Sequence, residues 1–345
     1  MEGPIFPENY QVAYITSFYT LSKPNSKPIA CVLNSHFTFY FVAVIINQKL
    51  MRLRGMGVEL KSPVEPKSSK VETRDKLSAV EKKEHLVAEL KKMKSLLVAF
   101  SGGVDSAFLL AVAQEALGKK VLAVTAVSPI HPLRERTEAI SFAREKNIPH
   151  LLFSSDEIDL PEFLANTSDR CYHCKKALCK TLQKIAREKG IRHVAHGVNV
   201  DDLDDFRPGL QAAVEAGIIA PLMDEKLNKT EIRHLSKAMG LPQWDKPSMA
   251  CLASRLPYGS AITLRKLKMI ETAEAFLQDK GLRTLRVRHH GTVARIEVGA
   301  TERDLILNDV IRKDIIKEFR HMGFDHIALD LEAFMSGKMN RSINP

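Results

Sequence analysis

Ser101-Gly102-Gly103-Val104-Asp105-Ser106 stands between a strand-like run, Ser95 to Phe100, and a helix-like run, Ala107 to Leu117. Paired glycines let the backbone turn tightly and approach a ligand with no Cβ in the way, and the helix that follows aims unpaired N–H groups and its positive end at the same spot. The hydroxyls of Ser101 and Ser106 add donors, so the stretch reads as a seat for the pyrophosphate of ATP. Asp105 would repel phosphate unless a cation lies between them, which calls for Mg²⁺ bridging carboxylate and pyrophosphate. The longer glycine loop and Lys-Ser/Thr pair of a Walker loop are not here, which speaks against kinase-like transfer of a γ-phosphate.

Working outward, strand and helix patterns alternate. Lys120 to Ser128, His150 to Ser155 and His193 to Val198 are strand-like; Leu133 to Lys146 and Cys171 to Lys189 are helical; Asp75 to Lys94 is a charged amphipathic helix leading into the first strand. Such alternation predicts an α/β fold, a doubly wound parallel sheet with helices on both faces and its ligand beyond the carboxyl ends of the strands. After Tyr258-Gly259 the pattern changes. A helix from Thr263 to Lys280 precedes two short strands, Thr284 to His289 and Val293 to Val298, read as a hairpin around His290-Gly291, then a helix at Asp309 to His321 and a strand at His326 to Leu331. This part predicts a small α+β domain. The expected divisions are residues 1–74 as an extension and linker, 75–255 as the nucleotide domain, and 256–345 as a substrate-binding or assembly domain.

The chain has 345 residues, 45% of them hydrophobic, enough to bury a sizeable core. Its apolar run from Phe37 to Ile46 is too short for a membrane span. The net charge of +10 invites a nucleic-acid reading, but residues 1–95 carry 15 Lys or Arg against 9 Asp or Glu, so the excess lies mostly outside the nucleotide-binding part. A cytoplasmic enzyme without nucleic-acid or membrane partners is therefore expected, with a homo-oligomer left open.

Gly197-Val198-Asn199-Val200-Asp201-Asp202 follows a strand and places carboxylates at its carboxyl end, where Gly197 and Asp201 are expected to face the ATP loop and its Mg²⁺. Asp204 and Asp205 follow so closely that the choice among the four carboxylates stays open. Cys171 and Cys174 share one face at the start of a helix, where the backbone dipole is expected to lower thiol pKa, and both sulfurs can grip one metal. Cys251 is the natural third ligand, because its loop should return near the active face. Three cysteines leave one iron of a [4Fe-4S] cluster open to an exogenous sulfide. A zinc site completed by His173 and a redox disulfide of Cys171 with Cys174 stay as alternatives. Cys179 is expected in the core, and Cys31 has no evident partner. Arg286 and Arg288 lie on one strand face and would repel unless an anion sits between them; a phosphate fits their forks, and Ser254 and Arg255 close the same pocket. His289 is expected to be exposed.

The Ser101–Ser106 loop resembles the signature of the PP-loop ATP pyrophosphatase superfamily, with its adenine nucleotide alpha hydrolase-like fold, whose members adenylate a carbonyl or carboxylate and release pyrophosphate. The order SGGVDS, DRCYHCKK, GVNVDD, DFRPGL, ACLASRLPYG and RVRHHGTVARIE, running from about Leu86 to Arg341, is similar to the ATP-dependent sulfur transferases called LarE. That resemblance implies adenylation of a carboxylate on a small nucleotide, pyridinium-3,5-biscarboxylic acid mononucleotide, then sulfur insertion to give a thiocarboxylate for the nickel-pincer nucleotide cofactor. In one branch the sulfur donor is a protein cysteine. Alanine, Ala250, stands at that position here, and the trio Cys171, Cys174 and Cys251 matches a second branch that holds an iron–sulfur cluster and takes sulfide from elsewhere. A tRNA-thiolating PP-loop enzyme and an amide synthase akin to GMP or NAD synthetases share the loop and remain alternatives.

Overall fold

Leu96, Leu97 and Val98 are completely buried, and their alternation organises the first half of the protein. In the computed structural model, which describes residues 77–203, 208–248 and 250–342, α1 (Ala79–Lys92) opens with a reciprocal cap: the Glu81 N–H donates to the Ser78 hydroxyl and the Ser78 N–H to the Glu81 carboxylate. Then come β1 (Leu96–Ala99), α2 (Val104–Leu117), β2 (Val121–Val127), α3 (Leu133–Glu145), β3 (His150–Ser154), α4 (Pro161–Leu164), α5 (Arg170–Glu188) and β4 (His193–His196). The four strands pair in parallel in the order β3-β2-β1-β4. Successive side chains point to opposite faces. Leu96 and Val98 meet α1, α2 and α3 on one side; Leu97 and Val194 meet Cys179, Leu182 and Ile185 of α5 on the other. Helices therefore cover both faces, as the alternation in sequence predicts. Val104 and every residue from Ser106 to Ala113 are buried, so the first turns of α2 are almost wholly enclosed and its N-terminus is held at the carboxyl end of β1.

The chain continues through α6 (Pro208–Glu215), α7 (Pro221–Asp224), α8 (Lys229–Ala238), a 3-10 turn at Leu252–Arg255, α9 (Leu264–Asp279), β5 (Leu285–His290), β6 (Val293–Val298), α10 (Arg303–Leu307), α11 (Asp309–His321) and β7 (His326–Leu329). The expected hairpin is present: β5 pairs antiparallel with β6, and β7 joins β6 in parallel. Ala273 and Leu277 of α9 pack with Val287, Ile296 and Phe319 beneath this second sheet. Both sheets lie within one unit, Ser69–Pro345. The expectations for the extension, Cys31, Asp204 and Asp205 fall outside the described residues.

The two sheets are joined by an apolar cluster made of Ile130, Phe163, Leu252, Leu256, Ile262, Leu267 and Ile270. Asn166 reinforces the joint. It is fully buried, and its amide donates to the carbonyls of Pro257 and Ser260 at 2.8 Å each, while its oxygen accepts from Arg170 at 2.6 Å. Arg170 also stacks over the Tyr258 ring at 4.5 Å. The start of α5 is thereby pinned to the segment that carries Cys251. No helix among the described residues is long and apolar enough to cross a membrane.

Gly197 explains why β4 can lie so close to α2. A Cβ there would stand 2.7 Å from the Ser106 nitrogen and 2.9 Å from the Asp105 carbonyl carbon. Both are backbone atoms of a buried helix start and cannot swing aside. Gly197→Ala is expected to cost about 1–3 kcal/mol as overpacking and to weaken ATP binding by shifting the loop. Thermal melts and calorimetric titration check this; parental values in both would show that the loop can move.

Candidate active site

Gly102 has φ of +76°, and a side chain there would meet Ala139 Cβ at 3.2 Å. Only glycine suits both the torsion and the space. Gly103 then serves as the N-cap of α2 with no side-chain capping bond, so the first N–H groups of the helix are left for a ligand. Ser106 Oγ shapes the loop from inside, donating to the Gly103 carbonyl at 3.1 Å and accepting from the Ser101 N–H at 3.3 Å. The Ser101 and Ser106 hydroxyls are 3.1 Å apart. These residues fit a pyrophosphate by their donors and by the open backbone.

Asp105 has protein partners that sequence reasoning missed. Lys229, the first residue of α8, pairs with its carboxylate at 2.5 Å, and Asn199 Nδ2 donates to its other oxygen at 3.3 Å. Asp201 accepts from the Lys229 N–H at 2.9 Å, and Asp202 accepts from the Asn199 N–H at 3.0 Å. The Gly197–Asp202 segment therefore faces the ATP loop through Gly197 and Asn199, while Asp201 and Asp202 brace the loop and α8. Asp105, expected to hold Mg²⁺, is here paired with the Lys229 ammonium. Lys229 carried one local signal, the Asn228 and Glu231 capping box at the start of α8; nothing local ties it to Asp105.

Cys174 and Cys251 pack against the same apolar cluster. Cys171 is exposed, and Cys179 is buried in the core as expected. The helix-start expectation of a lowered thiol pKa fails at Cys174. Burial pushes its thiol well above the ordinary range, and the negative charges of Cys251, Glu157 and Cys171 push the same way. Cys251 and Cys171 are thus near enough to Cys174 to oppose its ionisation. Among the described residues no three His, Cys, Asp or Glu side chains stand at metal-holding spacing.

Three arginines brace the loop of Cys251. Arg255 is fully buried and grips Glu274 with two bonds, Nε to Oε1 at 2.9 Å and Nη2 to Oε2 at 2.8 Å. Its Nη1 donates to the carbonyls of Ala250 and Cys251, at 2.5 and 3.0 Å, and to the Ser254 hydroxyl at 3.1 Å. Arg288 donates to the Ser254 carbonyl at 3.0 Å and to Glu297 at 2.7 Å. Arg286 donates to the carbonyls of Ser248 and Leu285 and stacks over Phe334 at 4.6 Å. Arg255 therefore acts on the loop's frame, since its donors are taken up by protein oxygens. Among the described residues Arg286 bonds no carboxylate. Burial, then the like charges of Arg255 and Arg288, push its pKa down to about 10, against the pull of Glu274. Arg286 and Arg288 are both buried, and His289, expected to be exposed, is buried with its ring 5.4 Å from Phe324.

Glu135 is a further residue that sequence reasoning missed. It lies one turn before Ala139, against the ATP loop, and its carbonyl is 3.4 Å from a Cβ built on Gly102. Burial raises its pKa to about 6, although Lys246, Arg255 and Arg286 pull it down. A raised carboxyl pKa means that folding penalises the charged form: the penalty is absent below about pH 4.5, grows up to about pH 6 and is complete above it. Relative to the parent, Glu135→Gln should gain about 1–2 kcal/mol near neutral pH and lose that gain near pH 4. Denaturant unfolding at the two pH values checks this; an equal difference at both would show that Glu135 ionises as freely folded as unfolded.

Comparison with known proteins agrees with this geometry. Residues 75–203 match the model of the PP-loop domain. An uncharacterized protein of Synechocystis is 41% identical over 260 residues, covering 75% of this chain and 97% of the relative. The pyridinium-3,5-bisthiocarboxylic acid mononucleotide synthase of Lactiplantibacillus plantarum is 35% identical over 265 residues, covering 76% of this chain and 95% of its own. An uncharacterized protein of Methanocaldococcus jannaschii is 32% identical over 247 residues, 71% of this chain and 92% of the relative. With near-complete coverage of the named synthase and the ATP loop built as the PP-loop pattern requires, this chain belongs to the LarE family of PP-loop enzymes.

Proposed function

We propose that this protein is an ATP-dependent sulfur transferase that adenylates a carboxylate of pyridinium-3,5-biscarboxylic acid mononucleotide and converts it to a thiocarboxylate. The observation that carries the reading is the meeting of Cys174 and Cys251 on one apolar cluster, with Arg255 holding the Cys251 carbonyl. In the first step a carboxylate oxygen of the substrate attacks the α-phosphorus of ATP and pyrophosphate leaves. The open N-terminus of α2 stabilises the negative charge on that leaving group, and Lys229 and Asp105 exchange partners as Mg²⁺ and phosphate enter. In the second step a sulfide attacks the acyl carbon and AMP leaves with the bonding pair.

Cys171, Cys174 and Cys251 are proposed as the donor set for an iron–sulfur centre, whose binding would have to draw the three sulfurs closer than they stand here. Thiolates at Cys174 are disfavoured by burial and by the other two sulfurs, so a bound cation is what would make three of them compatible. Such a centre supplies a site for exogenous sulfide. Ala250 at the position of the family's consumed cysteine supports this reading over self-donation. The test is anaerobic protein with ATP, Mg²⁺, sulfide and the dicarboxylate nucleotide, following AMP and thiocarboxylate together. Repeated turnover is expected, and Cys→Ser at each of the three positions should remove iron and thiolation while leaving pyrophosphate release measurable. Loss of the elements of H₂S from Cys251 in intact mass spectra, in protein without iron, would make Cys251 the expended donor.

Arg286 and Arg288, with the Ser254 hydroxyl, are proposed to hold the substrate's phosphate. A buried guanidinium with no carboxylate partner and two like-charged neighbours gains most from an anion. Arg286→Ala is expected to weaken nucleotide-acid binding by roughly ten- to a hundredfold, about 1.5–3 kcal/mol, with ATP affinity little changed. Lysine should rescue poorly, because it lacks the fork. Parental substrate affinity by calorimetry would move the phosphate elsewhere. Asp105→Asn is expected to block adenylation while keeping the fold; unchanged pyrophosphate release would overturn its assignment.

A further inference from the structure

A cleft of about 470 Å³ opens between α3, the segment of residues 242–247 and the turn at Leu282 and Arg283 that follows α9. Most of its charged side chains are answered from within. Lys246 pairs with Glu138 at 2.7 Å, Arg283 with Asp245 at 2.7 Å, and Arg134 donates to the Gln278 oxygen at 3.3 Å. Glu135, on the same wall, makes no hydrogen bond or ion pair among the described residues. Its Oε1 is enclosed without a partner, and burial works against its charge more than Lys246, Arg255 and Arg286 offset it. Gln243, 6% exposed, adds a second enclosed acceptor without a donor, its own Oε1. Two residues of one wall thus forfeit hydration and receive nothing in return from the protein.

The lining chooses among ligands. Four carboxylates, of Glu135, Glu138, Glu145 and Asp245, stand against three basic side chains, of Arg134, Lys246 and Arg283, so the cleft carries a negative charge in excess. A cation is what it lacks. Pro132, Phe142, Pro242 and Leu282 supply apolar wall, and such a surface costs a compact, strongly hydrated ammonium more than it costs a flat ring whose charge is spread over several atoms. Position narrows the choice further. The Glu135 carbonyl lies 3.4 Å from a Cβ built on Gly102 of the ATP loop, while its carboxyl feels the charges of Arg255 and Arg286. A nucleotide acid with its phosphate at Arg286 and its carboxylate at ATP has its ring between those two points, where Glu135 stands.

We propose that Glu135 selects the substrate by charge: its carboxylate lies against the positively charged pyridinium ring, in the cleft between α3 and residues 242–247, and favours that ring over a neutral one. Oε1 is enclosed, so Oε2 is the oxygen that meets the ring. The ring nitrogen bears the ribose and has no N–H, so recognition comes from Coulomb attraction and polarised ring C–H groups rather than from a conventional hydrogen bond. Binding also relieves a cost of the free protein, because a cation beside Glu135 offsets the burial of its charge. The inference rests on the substrate proposed above, and it deepens that reading by naming what tells a pyridinium acid from a neutral one.

The test measures binding by calorimetry to the full chain of two nucleotides that differ in ring charge: the pyridinium dicarboxylate nucleotide and its neutral benzene-ring counterpart, joined to the ribose through carbon. The parent is expected to bind the cationic ring roughly ten- to a hundredfold more tightly than the neutral one. Glu135→Gln should lose that preference by weakening the cationic ligand alone, with affinities for the neutral ring and for ATP at parental values. Glu135→Asp, which keeps the charge on a shorter arm, should keep part of the preference. A residue that only shapes the cleft would change both ligands alike and leave their ratio unmoved. Equal affinities in the parent, or an unchanged ratio in Glu135→Gln, would overturn the proposal and leave an internal water as the partner of Glu135. If Glu135→Gln does not fold, the ratio in the parent decides alone. A parent that binds ATP and neither nucleotide would strike the substrate reading and this inference with it. Selective binding in a parent that fails to thiolate would strike sulfur transfer and leave this inference standing.

Discussion

The pairing of Arg255 with Glu274 is the constraint on which the arrangement of the candidate site depends. Arg255 is fully enclosed and Glu274 nearly so. Burial opposes the charge on Glu274, and Arg255 overrides it, holding the carboxyl below its usual range. Two parallel bonds fix the guanidinium plane, and its remaining donors hold the carbonyls of Ala250 and Cys251. Glu274 meanwhile accepts from the Val287 N–H at 2.9 Å. One ion pair therefore joins α9, β5 and the cysteine loop. A buried pair of this kind contributes little net stability over a well-packed apolar pair, but removing either partner strands a charge in the interior and costs about 3–5 kcal/mol. Its value here is positional.

The same economy of charge operates at the ATP loop. Asp105 stands at the positive end of α2, next to bare helix N–H groups, and Lys229 neutralises it. Under the proposed function the ammonium turns to phosphate as a metal ion takes its place on Asp105, so that ligand and cation enter together without leaving an unpaired carboxylate. Lys246 adds a second tie, donating to the Gly102 carbonyl at 3.2 Å and pairing with Glu138 at 2.7 Å. It sets the loop against α3, beside Glu135.

Sulfur chemistry imposes a different requirement. A thiolate is the reactive and metal-binding form of cysteine, yet the enclosure of Cys174 favours the neutral thiol. Under the proposed function this is an asset in the resting protein, because a protonated, half-buried thiol is poorly reactive until metal binding releases its proton. The apolar cluster behind Cys174 and Cys251 also limits water near an activated acyl group, whose hydrolysis would waste ATP.

Local patterns were legible in the sequence. The Gly-rich turn between an apolar strand and an apolar helix, the parallel alternation and the hairpin around Gly291 all depend on neighbours a few residues apart, and the observed elements match them within about two residues at most boundaries. The chemistry of the loop was legible for the same reason, since backbone donors at a helix start need only the helix and the glycines. What the sequence left open depends on residues brought together from afar. Lys229 reaches Asp105 across 124 positions, and Arg286 reaches Ser248 across 38. Whether the Cys174 thiol is lowered by a helix dipole or raised by enclosure, and whether His289 is wet or dry, is set by what covers them. Sequence alone determined the strand, turn and helix that can cradle a phosphate, because these follow from short-range sterics and hydrogen bonding. Tertiary structure decided which charges face one another and which are buried, because Coulomb and desolvation energies depend on distances and surroundings that only the packed chain defines.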